Sequence, residues 1–165
     1  MRDPKPIEGG RALLFERLVD HEPLTREKAE ARPFRAHDTR ALRASVRDEL
    51  SRLLNTRCHV PSQALAGAER GVTNYGLPDF SSLSALSGED CNRLAALVAS
   101  AVAAYEPRLA DVRVEAHRAD AAHARRVFVT IEAALVVGSV PEPVSFRVEM
   151  KTETGEAKVD EAWTE

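Results

Sequence analysis

The chain has 165 residues, 44% of them hydrophobic, 30% charged and 5% aromatic, with a formal net charge of -3, a length that suits one compact domain. No stretch approaches the ~18 consecutive apolar residues of a membrane span, and Met1-Arg2-Asp3-Pro4-Lys5-Pro6 lacks the apolar run of a signal peptide. Two cysteines without CxxC spacing, Cys58 and Cys91, fit a reduced cytoplasmic protein better than a disulfide-stapled one.

In chain order, residues 1–10 carry two prolines and Gly9-Gly10 and read as a flexible leader. A short helix is expected over roughly Arg11–Asp20, with Leu14, Phe15, Leu18 and Val19 on one face. Residues 22–37 are charged, hold Pro23 and Pro33, and read as an exposed connection. A second helix starts at Asp38 or Thr39 as cap, and Leu42, Val46, Leu50, Leu53 and Leu54 form its apolar stripe up to a stop at Asn55. Residues 55–88 lack periodicity, and a stretch that long in a compact domain is expected to have a job. Ser87-Gly88-Glu89-Asp90 resembles a capping box and opens a third helix, whose apolar face is Leu94, Leu97, Val98, Ala101, Val102 and Tyr105. Pro107 ends it, having no N–H and disfavouring helical geometry at Glu106.

The period then changes to two. Val112, Val114 and Ala116 alternate with Arg113 and Glu115, Val127–Val137 is a longer apolar strand, and Val144–Met150 alternates again. Gly138-Ser139-Val140-Pro141-Glu142-Pro143 is expected to link the last two, its prolines marking the ladder's end. The expected class is therefore α+β: a small antiparallel meander packed against two main helices, with the short N-terminal helix in addition. The domain is expected over residues 11–150, followed by an acidic tail over 151–165 with Trp163 near its end.

Chemistry is sparse. Arg35, Arg40, Arg43, Arg47, Arg52 and Arg57 enrich the front of the chain, but Asp38, Asp48 and Glu49 sit among them and no aromatic residue interleaves. That pattern is a solvated helix face, so no nucleic-acid partner is expected. The histidines are scattered, and neither Cys58-His59 nor His117, Asp120 and His123 has the spacing of a metal site; no metal and no cofactor are expected. GxGxxG, GxxxxGK[ST] and GxSxG are absent. Glu106 and Asp79 could be nominated as paired acids, a pattern that any two of 26 acids would satisfy. Two constellations ask for more than packing: Tyr105-Glu106-Pro107-Arg108-Leu109, where the proline presents Glu106 and Arg108 as a fixed pair of opposite charges, and Asn55-Thr56-Arg57 with Thr73-Asn74-Tyr75-Gly76-Leu77-Pro78-Asp79. The second reads equally well as a loop held by side-chain-to-backbone bonds.

Four segments in order, Phe15-Glu16-Arg17-Leu18, Leu53-Leu54-Asn55-Thr56-Arg57, Val72 to Asp79 and Tyr105 to Leu109, resemble the TssE family. These are baseplate subunits of bacterial type VI secretion systems, related to a phage tail wedge protein historically called lysozyme-like. The resemblance covers roughly residues 11–150. It implies a non-enzymatic scaffold in the cytoplasm, recruited to the inner-membrane-associated apparatus without inserting into the membrane. Glu106, Pro107 and Arg108 match the family's Glu-Pro-Arg motif, which implies docking on the wedge partners TssF and TssG, with TssK as a further baseplate neighbour. Asn55, Arg57, Asn74, Tyr75, Gly76 and Asp79 would be the structural motif or interface beside it. The family's sheet further implies templating of the TssB/TssC sheath by β-augmentation. A lysozyme-like glycan hydrolase and an anti-adaptor of the same fold are the alternatives, because fold does not fix function.

Overall fold

A computed structural model describes residues 10–11, 36–65, 69–119, 125–137 and 140–162. Two-residue strands β1 (Gly10–Arg11) and β2 (Ala36–His37) pair antiparallel. The helix expected over Arg11–Asp20 lies outside the described residues except for Arg11, which belongs to β1. Helix α1 spans Thr39–Asn55, with the Asp38 carboxylate accepting from the Ala41 N–H at 2.7 Å and so satisfying one free donor of the first turn. Its expected stripe, Leu42, Val46, Leu50, Leu53 and Leu54, is buried throughout, and Ser45 is buried with it.

The connecting stretch contains a single helical turn, α2 (Ser62–Leu65), and a 3-10 turn at Val72–Asn74. Helix α3 runs Gly88–Tyr105 from an Ser87 cap whose hydroxyl accepts from the Asp90 N–H at 3.3 Å. The chain then turns back as β3 (Leu109–His117) and continues through β4 (Arg126–Val137), β5 (Val140–Lys151) and β6 (Ala157–Ala162). These four strands pair in chain order, an antiparallel meander. Its inner face carries Val127, Val129, Ile131 and Leu135 of β4 beside Val144, Phe146, Val148 and Met150 of β5. Ile131 stands opposite Phe146 and Val129 opposite Val148. Burying each such side chain contributes about 1.5–3 kcal/mol, and α1 and α3 cover this face.

Two expectations change. Pro141 and Pro143 lie inside β5, opposite Val136 and Ala134, instead of in a link. Among the described residues the last β6 partner, Ala162, stands opposite Ser145, and beyond that point β5 pairs with β4 alone. Two residues apart, both prolines turn their missing N–H to the side away from β4, where among the described residues no ladder bond is lost. Residues 157–162, assigned above to an acidic tail, form β6, with Ala157 and Val159 buried in the core. Exposed Lys158 and Asp160 alternate with these apolar positions, so composition concealed a half-buried strand. One extra residue in β3 between Ala110 and Arg113 makes a bulge, with Asp111 at φ 52°.

Candidate functional site

The end of α1 delivers two motif residues to the sheet. The Asn55 carboxamide accepts from the Ala157 N–H at 2.9 Å and donates to the Ala157 carbonyl at 2.8 Å, so one side chain imitates a strand neighbour at the start of β6. Its amide also reaches the Ser51 carbonyl at 2.7 Å. Arg57 donates to the carbonyls of Leu54 (3.1 Å) and Gly155, gripping the β5–β6 turn, and its guanidinium lies 4.5 Å from the centre of the Phe80 ring. Desolvation lowers the Arg57 pKa and the Asp79 charge opposes that shift.

The backbone between these residues meets the second motif. Leu77 N–H donates to Thr56 O at 2.9 Å and Cys58 N–H to Leu77 O at 2.8 Å, a parallel bridge between Arg57 and Leu77. Gly76 permits it: at φ +106° a Cβ would stand 2.8 Å from the Thr56 carbonyl carbon. Asn74 stitches the turn before it, accepting from Gly71 N–H at 2.7 Å and donating to Glu69 O at 3.1 Å. Asp79 accepts from the Ser81 N–H at 2.9 Å and the Ser81 hydroxyl at 3.1 Å, which, with Arg57, holds its exposed carboxyl below the usual carboxylate range.

The third motif closes the knot. The Tyr105 hydroxyl lies 2.7 Å from Asn74 Oδ1, 2.8 Å from Asn74 O and 3.1 Å from Gly71 O, and its ring meets Tyr75 edge-on at 5.0 Å. Desolvation, followed by the charge of Glu49, raises the Tyr75 pKa. Glu106 leaves helical geometry (φ -118°, ψ 78°) ahead of Pro107 while its N–H still caps α3. The carboxylate turns inward: Arg108 Nε and Nη2 each donate to it at 2.6 Å, and Arg108 Nη1 donates to Ser45 Oγ at 2.6 Å. Glu106 is 4% exposed and Arg108 14%. The expected pair thus forms and is fixed, but it faces α1 and leaves exposed Pro107 as the outer surface of the junction.

Sequence reasoning missed Ser45, Ala157 and Gly155. A polar residue inside the α1 stripe was the available sign for Ser45; the other two act through backbone atoms, which carry no sequence signature. Glu106 and Asp79 are not joined: one is spent on Arg108 and the other on Ser81. Cys58 is buried, and its sulfur accepts from Val60 N–H at 3.4 Å while His59 is exposed. His117 lies 3.3 Å from Thr130 Oγ1, and Asp120 and His123 lie outside the described residues. No group of three metal-ligating side chains occurs among the described residues, and none of their helices is long and apolar enough to cross a membrane. Arginines of α1 are engaged with acids: Arg43 with Glu142 and Glu161, Arg47 with Asp48, and Arg52 with Glu49.

No curated protein matches the chain. Among solved structures, a chain of "The baseplate complex from the type VI secretion system" aligns at 19% identity and a TM-score of 0.45, over 74% of this chain and 95% of that one. At the family level, residues 40–139, from α1 through β4, match the family described as baseplate wedge protein gp25. With well over half its length in that match, the chain belongs to the baseplate wedge protein gp25 family.

Proposed function

We propose that this protein is a non-enzymatic structural component of a type VI secretion baseplate, docking on a TssF/TssG wedge near TssK and starting assembly of the TssB/TssC sheath. It would work on the cytoplasmic side, recruited to an inner-membrane-associated apparatus. One observation carries this reading beyond family membership: the hydrogen bonds described for Asn55, Arg57, Asn74, Tyr105, Glu106 and Arg108 run to backbone atoms, to one another or to Ser45. Such groups shape a surface, and the Glu106 carboxylate is held by Arg108 instead of being free for acid–base work. Glu106 and Arg108 then act as positioning residues, holding Pro107, the end of α3 and the start of β3 in the geometry a wedge partner meets. For β-augmentation, the sheet offers β3 and β6 as edges. The β6 edge is engaged at Ala157 by Asn55, whereas among the described residues no strand pairs with the outer edge of β3, and we assign the incoming arm to β3.

Co-expression with TssF and TssG, followed by size exclusion with light scattering, tests the docking. Wild type should co-elute with both partners. Glu106→Gln and Arg108→Lys, checked for folding by circular dichroism, should weaken or lose the complex. A wild-type chain that elutes apart from folded partners overturns the wedge assignment. Peptidoglycan turnover abolished by Glu106→Gln would overturn the non-enzymatic one.

A further inference from the structure

We propose that the outer edge of β3 pairs antiparallel with β3 of a second copy of this chain, joining two four-stranded sheets across a two-fold axis. The inference goes beyond the baseplate reading and shares with it only the choice of edge.

Three observations point to a second copy as the occupant. The first is the edge itself: β3 has nine residues and pairs only with β4 among the described residues. Its backbone donors and acceptors on the far side form an open template.

The second is charge. Beyond the bulge that holds Asp111, the side chains of Arg113, Glu115 and His117 are exposed along one face of β3, and within the described residues no ion pair engages Arg113 or Glu115. A two-fold axis normal to the sheet keeps each face on its own side, so opposed residues have the same parity. With the axis at Val114, within the regular part of β3 beyond the bulge, Arg113 stands against Glu115 of the second copy, and this pair occurs twice. Moving the axis by one residue sets Arg113 against Arg113 or Glu115 against Glu115. Opposite charges directly across a strand pair stabilise it and like charges oppose it, so one register is selected. Val112, Val114 and Ala116, half-buried in the single chain, would continue the apolar inner face from one copy into the next.

The third observation is the neighbouring helix. A groove of about 560 Å³ runs between α3 and the β3 edge, lined by Ala95, Ala96, Ala99, Val114 and Ala116 among others. Asn92, Ala96, Ala99 and Ala103 form a partly to fully exposed stripe of mostly small residues along α3. Small side chains let two antiparallel α3 helices approach across the same axis without displacing the paired strands. Self-pairing would keep the β3 edge covered until an assembly partner displaces the second copy.

The test is sedimentation equilibrium on the full chain up to sub-millimolar concentration, with thermal melts to confirm folding. Wild type should reach twice the monomer mass. Arg113→Glu or Glu115→Arg alone should weaken the dimer about tenfold, by placing like charges across the axis. The double variant Arg113→Glu/Glu115→Arg should restore it, because the swapped pattern is again self-complementary. A wild type that stays monomeric throughout overturns the proposal, as does a double variant no tighter than the singles. Monomeric wild type that still assembles with TssB/TssC would leave the edge to a foreign strand; a dimer that never binds TssF/TssG would sink the wedge reading and leave this one standing.

Discussion

Replacing Arg108 by Met should cost about 3–5 kcal/mol of folding stability, the cost of leaving one member of a buried ion pair alone. The structure sets the magnitude at that level. Glu106 is 4% exposed and receives two 2.6 Å bonds from the guanidinium, so without Arg108 its remaining partner is the Arg108 backbone N–H at 3.3 Å. Ser45, itself 3% exposed, loses its 2.6 Å bond in the same change. For a chain of this size the loss corresponds to a melting temperature lower by about 10 °C. Urea unfolding followed by far-ultraviolet circular dichroism measures it, and a double-mutant cycle with Glu106→Gln isolates the pairwise part. Adding Glu106→Gln to the Arg108 variant should recover stability, since a neutral amide is easier to bury unpaired than a carboxylate. A loss under ~1 kcal/mol, or a coupling energy near zero, would refute the claim that this pair holds the junction of α3 and β3.

Gly76→Ala should destabilise by about 3 kcal/mol or more, combining the left-handed backbone with a clash on a carbonyl that the Leu77 N–H already occupies; chemical denaturation reads this directly. Asn55→Ala should speed amide exchange selectively in residues 157–162 while the amides of α3 keep their protection, because it removes both bonds to Ala157. Asp79 and Glu156 have depressed folded pKa values, the first through Ser81 and the second through Lys151. Their stabilising contribution is therefore present above the unfolded values of 3.8 and 4.5 and fades as pH falls through the lower folded values. Carboxyl titration by NMR should show both midpoints below those values, and Asp79→Asn should flatten part of the acid limb.

Both helices and the first three strands of the meander were legible because their apolar periods are unambiguous. Leu42 to Leu54 repeat at helical spacing, and Val112 to Ala116 alternate. Ser87 and Pro107 bracket α3 by local chemistry that needs no tertiary context. What escaped depended on distant partners. Pro141 and Pro143 look like strand breakers until both are seen paired with β4, with their missing N–H on the other side, and β6 looks like a solvated tail until Asn55 is seen to hold Ala157. In the candidate site, the residue types of the Glu-Pro-Arg stretch announced an ion pair. That it faces inward follows from Ser45, whose position beneath Arg108 only the packed helix reveals.

The grip of Asn55 on Ala157 joins positions 102 apart in the chain. At synthesis rates of about 5–20 residues per second, α1 exists for roughly 5–20 s before its last strand is made. During that interval the leucines of α1 lack the strand that closes the sheet beside them, and the turn at Gly155 that Arg57 will grip does not yet exist. Closure of this sheet thus waits on residues made 102 positions after Asn55, and until then the apolar stripe of α1 lacks part of its cover.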